Sequence, residues 1–161
     1  MWLRTDETNE AIKSLHKTYQ FILQIHEDGY NWKWAIIALH NSTQAFMVLA
    51  LKGTASLNVC KNREKFIDAI RSGDDYPELR MENFLILYKG IKSHDRMKMN
   101  INSKNLAASM DIDNAMNKLN EIRNKFIHYV PSHWSLETSM LPGLFRSILF
   151  VIEFLIRESG N

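Results

Sequence analysis

Along the chain, apolar residues recur at helical spacing between regular glycine and proline marks, and strict alternation of apolar and polar positions is absent. That period belongs to the α-helix, so the pattern predicts helices and no sheet. Gly29, Gly53, Gly73, Gly90, Pro131 and Gly160 each close a segment that reads as helix. The first runs from about Asp6 to Glu27, with Ile12, Leu15, Tyr19, Ile22 and Ile25 on its apolar face. The second, from about Asn31 to Lys52, is apolar nearly all round, as expected of a helix central to a bundle.

Shorter supporting helices are predicted from about Arg63 to Arg71 and from Glu78 to Lys89. The stretch from Gly90 to Ser109 is polar and irregular, and reads as a mobile loop. A fifth helix spans about Asp111 to Tyr129; Ser109 or Asp111 can cap its start, and Pro131 biases Val130 out of the helical region. The last ends near Arg157 and begins between Leu136 and Gly143, because Pro142 suits a first turn but kinks an interior. No repeat or linker composition divides the chain. Residues 1–161 are therefore expected to form one all-α domain, an up-and-down bundle of four to five main helices with short supporting ones.

Composition supports a globular chain: 45% of residues are hydrophobic and 24% charged. A net charge of +2 is too mild to name nucleic acid as a partner, since binding depends on local clustering. The single cysteine, Cys60, excludes an internal disulfide and suits a reducing compartment, so a cytoplasmic location is expected. Ile148 to Ile156 is interrupted by Glu153 and falls well short of the roughly 20 residues that span a bilayer, so a core helix is predicted there and no membrane partner.

On a helical wheel the fifth helix places Ala115, Leu119, Ile122, Phe126 and Val130 on one apolar arc, with Arg123 inside it. Asn124 and His128 lie one turn apart on a polar stripe with Asn117 and Glu121. A guanidinium aimed at an apolar interior costs several kcal/mol unless it is paired or reaches solvent. His40, Asn41 and Gln44, in the middle of the second helix, are the best candidates for a polar layer facing it; Glu27, Asp28 and Glu121 are other charge partners. Arginine, amide and histidine within six residues, beside a basic stretch containing Lys89, Lys92, Arg96 and Lys98, suggest a phosphate site. Each residue taken singly has a plain structural role open to it, Arg123 by snorkelling and His128 by its place at a helix C-terminus.

Arg123-Asn124-x-x-x-His128 near the end of a late helix resembles the signature of the HEPN superfamily, and the run Ala38-Leu39-His40-Asn41-Ser42-Thr43-Gln44-Ala45-Phe46 is similar to the corresponding helix of HEPN bundles. At the level of residues the resemblance covers 123 to 128 and, loosely, 35 to 53. It implies a metal-independent endoribonuclease of toxin or phage-defence type, leaving 2′,3′-cyclic phosphate and 5′-hydroxyl ends. By that analogy His128 is the general acid or base, Arg123 stabilises the phosphorane oxygens and Asn124 orients the pair. The basic residues Lys89, Lys92, Arg96 and Lys98 would guide RNA.

No cofactor is implied, and a homodimer would bring two motifs into one cleft. On an ideal helix Arg123 and His128 stand about 140° apart, so one helix alone is not expected to converge them. The same resemblance admits a non-catalytic binding or dimerisation module that partners a nucleotidyltransferase or larger assembly, and a toxin would have an antitoxin partner.

Other signals point away from rival chemistries. The six histidines lack the spacing of helical metal sites, so no metal is expected. His94 and His133 read as surface residues. Lys61 and Arg63 beside Cys60 could lower its pKa, but no base is fixed near it. Tyr30, Trp32 and Trp34 invite a base-stacking reading, yet at helical spacing they are expected in the core. The methionines are packing residues, with Met97 and Met99 expected to be exposed in the basic loop.

Overall fold

The computed structural model describes residues 2–53, 56–98, 102–128, 131 and 133–160. It is an all-α bundle: α1 (Glu7–Leu23), α2 (Asn31–Leu51), α3 (Arg63–Ser72), α4 (Phe84–Ile91), α5 (His94–Met97), α6 (Met110–Ile127) and α7 (Leu141–Glu158). Among the described residues there is no strand, only an isolated antiparallel bridge between Cys60 and Met81. The expected fates of Met99 and Val130 lie outside the described residues.

Helix α2 is the axis, packed against α1, α4, α6 and α7. Ala35, Ile36, Leu39, Met47 and Leu51 are sealed from solvent, as its all-round apolar sequence predicts. Among the described helices it alone is long and apolar enough to cross a membrane, but two thirds of that window is buried inside the bundle, as in a core helix. Helix α1 starts at Asp6, whose carboxylate accepts from the Asn9 amide at 2.7 Å, and stops at Leu23, short of the expected Glu27. Its contact seam also differs from the expected arc. Ala11 and Thr18 are buried, while Ile12 and Tyr19 stay more than half exposed. Ser42 explains the rotation: its hydroxyl donates to the Ala11 carbonyl at 2.8 Å, and such close approach requires small residues at the seam.

Helix α6 is capped by Ser109, whose hydroxyl accepts from the Ile112 amide. Pro142 lies in the first turn of α7, which settles where that helix begins.

Two expectations fail between α3 and α6. Glu78 to Asn83 is not helical, because that segment pairs with residues 59–62: Lys61 donates to the Arg80 carbonyl at 2.9 Å and Glu82 to that of Val59 at 2.8 Å. Gly90 does not close a helix; it lies within α4. A Cβ there would meet Leu51 Cδ1 at 2.8 Å and Arg96 Cζ at 3.0 Å, so the glycine permits α4 and Arg96 to close on α2. Gly90→Ala gains helix propensity of about 1 kcal/mol but overpacks a sealed site by about 1–3 kcal/mol. We expect a net loss of about 1 kcal/mol, read as a lower urea midpoint at unchanged slope.

The described parts of the stretch expected to be a mobile loop, residues 90–98 and 102–109, are tied down. Leu106 is buried and its amide donates to the Ile91 carbonyl at 2.8 Å, Lys104 pairs with Glu158 at 2.6 Å, and Met97 is buried, not exposed. At Cys60 the neighbouring cations leave no mark. Burial, and then Glu82, push its thiol pKa up; Lys61 and Arg63 do not lower it.

Candidate functional site

Helices α2, α4 and α6, with the segment leading into α4, enclose a cleft of about 730 Å³. Lining it are His40 and Gln44 from α2, Glu82, Asn83 and Lys89 around α4, and Asn120, Arg123, Asn124 and His128 from α6. The three motif residues therefore share one cleft with two of the three members of the expected polar layer. Asn41, the third, faces an adjoining recess of about 360 Å³, which Gln44 and Arg123 also line together with Asp6, Glu7 and Glu10 of the α1 end. Gln44, Met81 and Arg123 line both spaces and form the wall between them.

Arg123 and His128 both line the cleft although helical geometry sets them about 140° apart. His128 is the C-cap of α6, with φ −97° and ψ 72°. Its amide still donates to the Asn124 carbonyl at 2.8 Å, which holds the cap against the last turn, and its side chain is exposed.

Arg123 has little to hold it. One Nη donates to Asn124 Oδ1 at 3.0 Å, and its buried Nε has no partner. None of the expected acids reaches it. Glu121 is taken by Lys118 at 3.0 Å and Lys125 at 2.7 Å, Glu27 contacts His26, and the Asp28 carboxylate accepts from the Tyr30 amide. Among the described residues Arg123 forms no ion pair. A half-buried cation with one neutral acceptor is poised for an anion.

Behind it sits His40, 2% exposed and stacked on Phe84 at a centroid distance of 4.0 Å. Burial, and then the positive charge of Arg123, push its imidazole pKa down to about 4. It is neutral at pH 7, and its Nε2 meets Asn120 Oδ1 at 3.3 Å. Where Asn120 presents its oxygen, Nε2 is the donor, and the Asn41 side chain is the imidazole's other amide neighbour. His40 is thus a neutral spacer beside the guanidinium rather than a proton donor.

The basic residues divide. Lys89 is exposed on the cleft rim. Lys92 is drawn to Asp113 at 2.7 Å, Arg96 donates to the Asn58 carbonyl at 2.8 Å, and Lys98 pairs with Asp95 at 2.9 Å. The structure does not gather those three at the cleft. Asn120 and Asn83, which do line it, were not singled out in the sequence; Asn120 falls at i−3 from Arg123 and i−4 from Asn124, and that spacing was the available signal. A cleft with two cations, several amides and an exposed imidazole can seat a phosphodiester and exchange a proton with it.

Compared with protein-family models, with curated proteins and with solved structures, the chain matches none.

Proposed function

We propose that the chain is a metal-independent endoribonuclease of HEPN type, which cleaves RNA to 2′,3′-cyclic phosphate and 5′-hydroxyl ends. One observation carries the reading: Arg123, Asn124 and His128 line a single cleft, and the guanidinium there has no acidic partner among the described residues. In the reaction the ribose 2′-oxygen attacks the adjacent phosphorus, its proton passes to a base, and the 5′-oxygen leaves with a proton from an acid. His128 serves as base or acid, and the second copy in a homodimer supplies the other role. Arg123 holds the charge that builds on the phosphorane oxygens, oriented by Asn124. Lys89 meets the incoming backbone.

The setting we propose is cytoplasmic, in toxin–antitoxin or phage defence, with an antitoxin or nucleotidyltransferase as protein partner. The test is substrate sugar. A mixed RNA pool is expected to be cut and the DNA of the same sequences left whole, since deoxyribose lacks the nucleophile. Equal cutting of both would contradict the chemistry. RNA bound but never cut would instead establish the non-catalytic binding module.

A further inference from the structure

Where α2 begins and α6 ends, a separate pocket of about 230 Å³ is lined by Tyr30, Lys33, Lys125, Phe126, Trp134 and Leu136. Its aromatic faces are open: Tyr30 is 58% exposed and Trp134 37%, and Trp34 alongside is 44% exposed rather than in the core. Phe126 and Trp134 meet at a centroid distance of 4.9 Å, tilted by 56°. The Lys33 ammonium stands 5.1 Å from the Tyr30 centroid, 4.9 Å from that of Trp34 and 5.8 Å from that of Phe126, and Lys125 stands 5.8 Å over Trp134. Lys33 donates to the Tyr30 hydroxyl at 3.0 Å and forms no ion pair among the described residues, whereas Lys125 shares Glu121 with Lys118.

Exposed rings interleaved with lysine suit a flat aromatic group attached to an anion. An apolar peptide would leave the ammonium groups unused, and a duplex offers its bases to no such pocket. We propose that this pocket takes an unpaired base of single-stranded RNA together with its neighbouring phosphate. It forms a subsite beside the cleft, because Lys125 precedes His128 by one helical turn. The inference rests on the ribonuclease reading for the identity of the strand.

The test uses the whole chain and a labelled 2′-O-methyl oligouridylate of about ten nucleotides, which binds but cannot form a cyclic phosphate. Anisotropy gives affinity. Trp134→Ala is expected to weaken binding by about tenfold, while Trp134→Phe retains most of it. Because Trp134 also packs on Phe126, Lys33→Ala supplies a variant that leaves that ring pair intact, expected to lower the salt slope by about one. Wild-type affinity and salt slope in both alanine variants would overturn the subsite, as would an RNA duplex binding as tightly as the single strand. Cleavage of unmodified RNA is scored separately: cutting that persists with the same KM in Trp134→Ala removes the subsite and leaves the ribonuclease reading standing.

Discussion

Arg123→Ala is expected to lower RNA cleavage by about 100- to 1,000-fold while leaving the melting temperature close to that of the wild type. The two halves of this expectation come from one feature. A structural arginine in a half-buried position has acceptors around it, and removing it strands them at a cost of about 3–5 kcal/mol. Among the described residues Arg123 has a single side-chain hydrogen bond, to Asn124 next to it, and its buried Nε has no partner. Its deletion leaves no buried carboxylate behind. On the proposed reading its value lies in an anion that arrives with substrate, where a planar fork of donors outdoes a point charge. Arg123→Lys is accordingly expected to recover only part of the rate. Single-turnover cleavage and thermal melts on the same preparations check this. A large fall in melting temperature with undiminished cleavage would make Arg123 a structural residue.

His40 should make the fold acid-sensitive. Its folded pKa of about 4 lies below the ordinary value of 6.5. Between those values the unfolded chain binds more protons than the native one, so acidification favours unfolding. The stability contribution is fully present above about pH 6.5, is lost progressively as pH falls, and is gone below about pH 4. The whole span amounts to about 3 kcal/mol. Asp6, Asp113 and Glu121, each held below its ordinary carboxylate pKa by hydrogen bonds, act in the same direction but at lower pH. His40→Gln separates the effects: its amide can donate to Asn120 and does not titrate. Urea unfolding at about pH 7.5 and about pH 4.5 should show a steep loss in the wild type and a shallower one in the variant. Parallel losses would show that His40 is not the acid-sensitive element.

Much of the fold was legible because helical periodicity is a local property. The all-round apolar run identified α2 as central, and the starts of α6 and α7 were narrowed to Ser109 or Asp111 and to the stretch between Leu136 and Gly143, ranges within which the structure places them at Met110 and Leu141. The failures have non-local causes. Glu78 to Asn83 carries a helical pattern, but its backbone groups find partners across the chain at residues 59–62. Gly90 looks like a helix stop until Leu51 and Arg96 are seen pressing on it. The α1 seam turned toward Ala11 because Ser42 reaches that residue's carbonyl, a contact 31 positions away.

The site divides in the same way. Arg123, Asn124 and His128 stand within six residues, which marked them as a cluster, but helical spacing alone set Arg123 and His128 about 140° apart and did not bring them into one cleft. Asn120 was not singled out, because its link to His40 spans 80 positions. The pocket around Trp134 joins residues from both halves of the chain. Its two lysines and its rings are unremarkable when each is read alone.

The most direct measurement is incubation of wild type and His128→Ala with a labelled RNA pool in EDTA, followed by analysis of the new ends. The account predicts cyclic-phosphate and 5′-hydroxyl ends from the wild type and none from the variant. Intact RNA with both proteins, or equal cutting by both, would contradict it.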